Sequence, residues 1–264
     1  MGTALVGAIE AGGTKFICAV GTGPADLEVS PPIPTRSPEE TLRDVIAFFA
    51  GRGVKKIGIG CFGPVDLERA AITKTTPKLD WRGVPIGTII QRALDVKVAI
   101  DTDVNAAALG EHRWGAVQGI DDFVYLTVGT GIGGGAMVNG RLARGLAHPE
   151  MGHLRLPRVK GDRFKGVCPL HGDCLEGMAS GPAVAASGGA YEADYLAWAL
   201  MNITCTLSPK MIVMGGGVMK TKGLIEAVRV KLKQELRGYV PAPKLVRPKL
   251  GDRAGVLGSL ALVL

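Results

Sequence analysis

The sequence predicts an α/β protein built from two halves that repeat one arrangement. Glycine is abundant, with 39 residues among 264, whereas aromatic residues make up 5% and apolar residues 47% of the chain. This composition is typical of a soluble α/β protein with many tight turns. Two glycine-rich turns, each lying between short apolar runs, begin at Gly12 and Gly129. Because each turn opens one half of the chain, we expect an internally duplicated fold that holds a polyphosphate from both sides.

Composition and charge limit the class of protein. No apolar run reaches the roughly 18 to 20 residues of a membrane span, and the N-terminus does not read as a signal peptide, so we expect a cytoplasmic protein without a membrane partner. The net charge of +7 favours an anionic ligand. The basic residues are scattered, apart from those between Lys231 and Lys249, and do not alternate with aromatic residues. Nucleic acid is therefore not an expected partner. Three of the five cysteines, Cys18, Cys61 and Cys205, lie in apolar sequence and are interpreted as free thiols.

The first half begins with a predicted strand, turn and strand. Apolar runs at 5–9 and 16–20 flank the segment from Glu10 to Lys15. Successive glycines, Gly12 and Gly13, let backbone N–H groups converge on a phosphate, to which Thr14 adds a hydroxyl and Lys15 a positive charge. The segment matches neither the Walker P-loop nor the G-x-G-x-x-G fingerprint, so neither a Walker-type NTPase nor a Rossmann enzyme is indicated at this end.

A helix and a strand follow a proline-rich connection. Ser37 is predicted to cap the helix, with Pro38 at its first position and Glu40 completing a capping box. A strand is predicted at 56–59, ending in the turn from Gly60 to Asp66, and a second helix at 84–94.

The next strand, at 97–100, runs into the segment Asp101-Thr102-Asp103-Val104-Asn105 and an alanine-rich helix from Ala106. Carboxylates at such a junction lie at a helix N-terminus, where α/β proteins gather ligands. The alternative is that Asp103 only caps the helix.

The second half repeats the glycine-rich turn. A strand at 123–128 precedes the turn at 129–135, and the run at 136–138 completes a hairpin. A third glycine cluster, Gly215 to Gly217, follows a strand at 211–213 and precedes a helix. Its glycines would allow the backbone to approach a flat ligand such as a nucleoside.

A metal site is predicted from the spacing Cys168-x-x-His171-x-x-Cys174. Thiolates and imidazoles suit a tetrahedral zinc ion, but a closed structural site needs four ligands. The chain has four histidines, and His153 is the nearest candidate upstream. We therefore expect a site with two cysteine and two histidine ligands; the alternative is a chance grouping on a loop.

Together these motifs resemble those of the ROK family of sugar kinases, over nearly the whole chain. The element Glu150-x-Gly152-His153, followed by the Cys-x-x-His-x-x-Cys loop, is the distinguishing signature of that family. With Glu10 and Thr102-Asp103 at these positions, the chain resembles the bacterial zinc-containing fructokinase branch of the family.

The resemblance implies a duplicated actin-like ATPase fold, related to ribonuclease H, with two lobes and a cleft between them. Residues 1–115 would form a small lobe, and residues 116–264 a large lobe that carries the zinc loop. The C-terminal end would pack back on the small lobe. A homodimer is also expected.

The resemblance also implies ATP-dependent phosphorylation of a hexose, D-fructose to fructose 6-phosphate, with Asp103 as the general base. Mg²⁺ would accompany ATP near Glu10, and structural Zn²⁺ would be held by His153, Cys168, His171 and Cys174. The ATP phosphates would contact Gly12, Gly13, Thr14, Lys15, Gly129, Thr130, Gly131 and Gly133, and adenosine would contact Gly215, Gly216 and Gly217. The sugar would contact Gly63, Pro64, Asp103, Glu150, His153 and Glu176.

Three alternatives remain open in the sequence. The hexose could be mannose, glucose or N-acetylmannosamine, because one hydroxyl's orientation decides the choice. A sugar-sensing ROK regulator is disfavoured, since only nine residues precede Glu10 and a helix-turn-helix would not fit there. A zinc-stabilised binding protein without catalysis is disfavoured by Asp103 and both glycine turns.

The stretch between Gly181-Pro182 and Tyr191 is shorter than is usual in the family, which could weaken a lid or a dimer contact.

Overall fold

The structure is a computed structural model that describes residues 5–264. These residues form two main sheets with the same pattern of strand order. Contacts group these residues into two units. Unit 1 comprises the described residues up to Gln118, together with Arg144–His148 and Leu250–Leu264. Unit 2 comprises Gly119–Ala143 and Pro149–Lys249. Within residues 5–264, no helix is long and apolar enough to cross a membrane.

The sheet of unit 1 has the order β3-β2-β1-β5-β8, with β4 pairing on β2. Its strands, and a separate pair formed by β6 and β7, are β1 (Val6–Ala11), β2 (Lys15–Gly21), β3 (Glu28–Val29), β4 (Ile33–Pro34), β5 (Lys56–Cys61), β6 (Val65–Asp66), β7 (Ala71–Ile72) and β8 (Lys97–Thr102). Strand β1 pairs antiparallel with β2, whereas β1, β5 and β8 run parallel. In their register Glu10 lies beside Gly60, which lies beside Asp101. The three parallel strands therefore end at one edge of the sheet, and two of them place an acidic residue there, Glu10 and Asp101.

Three helices follow these strands: α1 (Pro38–Phe49), α2 (Ile86–Leu94) and α3 (Asp103–Trp114). The predicted capping box of α1 is confirmed, since the Glu40 N–H donates to Ser37 Oγ at 3.4 Å and the Ser37 hydroxyl donates to the Glu40 carboxylate at 2.6 Å. Helix α2 begins two residues later than predicted, with Pro85 as its N-cap. Apolar side chains of α1 and α2 cover one face of the sheet in a core that includes Phe16 and Phe49.

Helix α3 begins earlier than the sequence indicates. Asp103 is its first residue, and Thr102 is the N-cap, with its hydroxyl oxygen accepting the Asn105 N–H at 3.1 Å. The predicted start at Ala106 is therefore wrong. Thr102 and not Asp103 is thus the N-cap, while the Asp103 carboxylate accepts another N–H group of the first turn, that of Val104.

The sheet of unit 2 has the order β11-β10-β9-β12-β13, which repeats the pairing of the first sheet. Its strands are β9 (Phe123–Val128), β10 (Ile132–Val138), β11 (Arg141–Leu142), β12 (Met211–Gly215) and β13 (Lys244–Val246). In both sheets a central strand pairs antiparallel with the next strand and parallel with a later one. The predicted duplication is thus confirmed. The predicted turn at 129–135 is too long, because Gly133 to Gly135 pair with β9 as part of β10.

The helices of unit 2 are α4 (Leu175–Ala179), α5 (Gly181–Ser187), α6 (Glu192–Leu207) and α7 (Leu224–Leu236). Short 3-10 turns occupy Met151–His153 and Val218–Lys220, so the helix predicted after the third glycine cluster begins only at Leu224. The core packs α6 and α7 against β9 and β12, with Leu126, Leu200 and Ile212 fully buried.

The C-terminal helix α8 (Ala254–Ala261) belongs to unit 1 and packs against β1, β5 and α3. Its Val256 and Leu260 join Val6, Ala8 and Ala19 on the face of the sheet opposite α1. Strand β1 is buried on both faces, as is usual for a central strand.

Candidate active site

The first glycine hairpin joins β1 to β2 in unit 1. The Gly12 N–H donates to the Lys15 carbonyl at 3.0 Å, and Thr35 fixes the turn from the side, through a hydroxyl bond to the Gly12 carbonyl at 2.8 Å and an N–H bond to the Thr14 carbonyl at 2.9 Å. Thr14 and Lys15 are exposed at its tip. The hairpin is therefore a held loop that presents a hydroxyl and a positive charge.

Glu10 precedes this hairpin and is mostly buried. Burial is the main cause that raises its pKa from 4.5 to about 7, and the neighbouring charge of Asp103 raises it further, while Lys15 opposes the shift. A backbone hydrogen bond from Val256, at the start of α8, also favours the charged form. Gly255 leaves the space that this carboxyl occupies, since a Cβ there would lie 2.4 Å from Glu10 Oε1. A carboxyl in this state binds a cation or a proton readily.

Asp103 lies at the same edge, on the first turn of α3. Its Oδ1 accepts the Val104 N–H at 2.8 Å, which orients the carboxylate at the helix N-terminus. The first turn of a helix is a position at which the helix dipole stabilises negative charge.

Behind Asp103, the fully buried Asp101 organises the junction. Its Oδ1 accepts the Thr102 N–H and the Asn105 side-chain amide, both at 2.8 Å, and its Oδ2 forms an ion pair with Arg144. The sequence places Asp101 among the carboxylates of this junction but does not predict its partner Arg144. The signal for Asp101 was a polar residue ending an apolar strand, whereas Arg144 is 43 positions away and no local pattern points to it.

Gly63 and Pro64, two of the predicted sugar contacts, are joined by a cis peptide bond. The Thr76 hydroxyl donates to the Gly63 carbonyl at 3.1 Å, and the Val65 N–H donates to His148 Nε2 at 3.2 Å. The turn after β5 is thus fixed on both sides.

The second and third glycine clusters lie next to each other in unit 2. The Gly129 N–H donates to the Gly131 carbonyl at 2.9 Å, and the Gly129 carbonyl accepts the Gly181 N–H at 2.7 Å. Gly216 has a φ of +92°, and a Cβ there would lie 2.2 Å from the Val128 carbonyl oxygen. Only glycine fits that position. Because Gly216 has no Cβ, the third cluster can lie at the end of β12 directly beside the end of β9.

Glu176 connects α4 to the second hairpin. Its Oε2 accepts the Ile132 N–H at 2.9 Å, and a Cβ on Gly131 would lie 2.8 Å from the same oxygen. A carboxylate that the sequence predicts to bind the sugar therefore supports the second glycine hairpin. Thr130 and Gly131 are exposed at the tip, while Gly133 is half-buried within β10.

The Glu150-x-Gly152-His153 element packs against the same hairpin. A Cβ on Gly152 would lie 1.8 Å from the Ile132 carbonyl oxygen, so the 3-10 turn Met151–His153 reaches β10 only because this residue is glycine. Glu150 is exposed at the start of that turn. The turn directs the imidazole of His153 toward the cysteines.

Four side chains in unit 2 form a candidate metal centre. Ligand atoms of His153, Cys168, His171 and Cys174 all lie within 4.8 Å of one another. His153 Nδ1 is 3.8 Å from Cys168 Sγ and 3.5 Å from Cys174 Sγ. Two thiols and two imidazoles are the donor set of a closed tetrahedral site, so the residues fit a metal such as zinc.

Of the predicted site residues, the structure assigns Glu10, Gly12 to Lys15, Gly63, Pro64 and Asp103 to unit 1 and the remainder to unit 2. Each glycine cluster lies at the end of a strand in a central position of its sheet. The arrangement provides two glycine-rich hairpins, a helix-terminal carboxylate and a His/Cys cluster whose spacing fits a metal ion.

Comparisons with known proteins agree with these features. The model of the ROK family matches residues 6–192 and 190–264. A fructokinase of Zymomonas mobilis is 39% identical, with 98% of this chain and 96% of the relative covered. A fructokinase of Lactococcus lactis is also 39% identical, over 90% of this chain and 87% of the relative.

Solved structures are similar over the whole chain. A ROK hexokinase from Thermus thermophilus has a TM-score of 0.82 and 30% identity, with 98% of this chain and 97% of that one covered. A ROK glucokinase from Streptomyces griseus, solved with glucose and AMPPNP, has a TM-score of 0.77 and 27% identity, with 98% and 99% covered. The predicted actin-like ATPase fold is thus confirmed, and the chain belongs to the ROK family.

Proposed function

We propose that this protein phosphorylates a hexose with ATP, and that the hexose is D-fructose, giving fructose 6-phosphate and ADP. Relatives named fructokinases at 39% identity support the substrate, and the two glycine hairpins support a polyphosphate donor. The observation that carries the proposal is the edge of the first sheet, where Asp103, Glu10 and the Gly12–Lys15 hairpin lie together.

Asp103 is the proposed general base. Its carboxylate accepts the proton of the attacking hydroxyl as that oxygen bonds to the γ-phosphorus and the bond to ADP breaks. Such positioned proton transfer contributes about 10² to 10⁴ in rate. The hydrogen bond from the Val104 N–H holds the Asp103 carboxylate in one orientation at the helix terminus. The buried Asp101 fixes the backbone before it by accepting the Thr102 N–H.

Glu10 is the proposed holder of Mg²⁺, through water. The ion, when bound with ATP, neutralises charge on the phosphate oxygens. Glu10 suits this position because its mostly buried carboxyl interacts with the charges of Asp103 and Lys15. Backbone groups of Gly12, Gly13, Gly129 and Gly131 contact the phosphates in this proposal, and Gly215 to Gly217 contact adenosine.

Zinc is the proposed occupant of the His/Cys centre, with a structural role, because four protein ligands leave no open position for chemistry. His153 Nδ1 faces both cysteine sulfurs, so a metal held there would leave Nε2 to bond a sugar hydroxyl. Glu150 and Glu176 are the carboxylates that accept further sugar hydroxyls. The metal would thus fix the orientation of a sugar-binding imidazole.

A coupled ADP-release assay with fructose, mannose, glucose and N-acetylmannosamine tests this function. The proposal expects turnover, with kcat/KM for fructose at least tenfold above the other three. Preference for another sugar would replace fructose but keep the kinase, while sugar binding without ADP release would point to a sensor. We also propose a homodimer, which light scattering on the purified protein tests.

A further inference from the structure

A cavity lies in unit 2, and no residue assigned to the hexose, ATP or zinc sites lines it. Its volume is about 190 Å³. The walls include three aromatic rings, from Phe164, Tyr191 and Tyr195, and two carboxylates, from Asp162 and Glu192. Aromatic residues make up only 5% of the chain, so three rings around one cavity are a concentrated feature.

Glu192 is the cavity's unsatisfied group. It is the first residue of α6 and is 6% exposed, and its Oε1 has no hydrogen-bond partner. Buried carboxylate oxygens are almost always bonded, and each exception calls for a reason such as a missing ligand. Burial raises the pKa of Glu192 to about 7.

Asp162 and Tyr195, two other polar residues of the wall, already bond each other and the backbone. Asp162 Oδ1 accepts the Phe164 N–H at 2.9 Å, and its Oδ2 accepts the Tyr195 hydroxyl at 2.5 Å. The Tyr195 oxygen also accepts the Val159 N–H at 3.3 Å. These bonds make a rigid rim and leave Glu192 as the acceptor that a ligand would meet.

The cavity coincides with a shortened part of the chain. Ser187, the last residue of α5, and Ala190, in the short connection to α6, both line it. The family match divides in the same place, into 6–192 and 190–264. The alignment with the Zymomonas fructokinase extends over 290 residues, more than the 264 of this chain. Small residues therefore lie on this side of the cavity.

We propose that this cavity binds a small organic cation, with Glu192 as its counter-ion and Tyr191, Tyr195 and Phe164 as its aromatic walls. A carboxylate among aromatic rings is the arrangement that recognises ammonium groups, through charge pairing and cation–π contact. None of the residues that line the cavity is lysine, arginine or histidine. A cavity needs roughly 15 Å³ to hold one water-sized group, so this volume admits a ligand of about ten non-hydrogen atoms.

An inorganic cation fits the cavity less well. Among the described residues, the one group of three or more His, Cys, Asp or Glu side chains with metal-ligand spacing is the His153 centre, and the cavity offers only two carboxylates. A charged organic ligand would restore the ionised form of Glu192, which burial disfavours.

Calorimetric titration of the full-length protein at pH 8 tests the proposal with a matched ligand pair, choline and its neutral analogue 3,3-dimethyl-1-butanol. We expect choline to bind at least tenfold more tightly than the alcohol. Glu192→Gln should lower choline affinity at least tenfold, whereas Glu226→Gln, an exposed glutamate in the first turn of α7, should leave it unchanged. Hexose phosphorylation should be unaltered in both variants.

Equal affinity for the two ligands would overturn the proposal, as would the absence of choline binding at millimolar concentration. Undiminished choline binding by folded Glu192→Gln would also overturn it. If that variant does not fold, Tyr191→Ala provides the second test, because this ring is 36% exposed and its removal opens one wall. A choline affinity unchanged in Tyr191→Ala would then count against the site.

Discussion

Replacing Glu10 by glutamine is expected to stabilise the metal-free protein at pH 8 by about 3 kcal/mol. The pKa of Glu10 is about 7 in the folded protein, whereas its ordinary value of 4.5 applies to the unfolded chain. Each pKa unit is worth about 1.4 kcal/mol, so the folded state bears a penalty of about 3 kcal/mol once the carboxyl is ionised in both states. The penalty is absent below pH 4.5, grows as pH rises to 7, and is constant above.

Glutamine keeps the shape of the side chain and removes this penalty. Urea unfolding in the presence of a chelator should therefore show stabilisation by about 1 kcal/mol at pH 5 and about 3 kcal/mol at pH 8. Glu68→Gln, at an exposed position of unit 1, is the control and should change stability by less than about 0.5 kcal/mol. A Glu10→Gln protein no more stable than the wild type at pH 8 would refute the reasoning. The same variant should lose kinase activity if Glu10 holds Mg²⁺.

Two further predictions concern the metal centre and the third glycine cluster. Metal analysis should give close to one zinc per chain. Cys168→Ser should lose the metal and have a lower Tm, whereas the control Cys205→Ser, at an exposed thiol, should keep the metal and the wild-type Tm. A wild-type protein purified without metal would contradict the ligand set. Gly216→Ala should destabilise the fold by about 3 kcal/mol or more, because its Cβ would overlap the Val128 carbonyl at a positive φ. Gly217→Ala meets no atom within 4 Å, so it should fold normally and raise only the KM for ATP; an unchanged KM would argue against adenosine contact there.

Local features were the part of the fold that sequence could predict. The capping box of α1 depends on three neighbouring residues, Ser37, Pro38 and Glu40, and forms as predicted. The repeated strand–glycine–strand pattern predicted both hairpins, and the structure adds that the two sheets share one strand order. The boundaries were harder, since Gly133 to Gly135 look like turn residues yet pair along β9. Backbone pairing overrides the low strand propensity of glycine there.

Long-range contacts were the part that sequence could not supply. The ion pair of Asp101 with Arg144 joins residues far apart in the chain, and Glu176 supports a hairpin 44 positions away. The short stretch before α6 was visible in the sequence, but the cavity it covers was not. The burial of Glu192 depends on the packing of α6 beside Tyr195 and Phe164, which no local pattern encodes.

The kinetics of Asp103→Asn test the central claim most directly. Asparagine keeps the size of the side chain and cannot act as a base, so kcat for fructose should fall by about 10² to 10⁴. The KM for fructose should stay within threefold, and the control Asp95→Asn, at the exposed end of α2, should retain full activity. A kcat of Asp103→Asn within tenfold of the wild type would contradict the assignment of the base and, with it, the proposed mechanism.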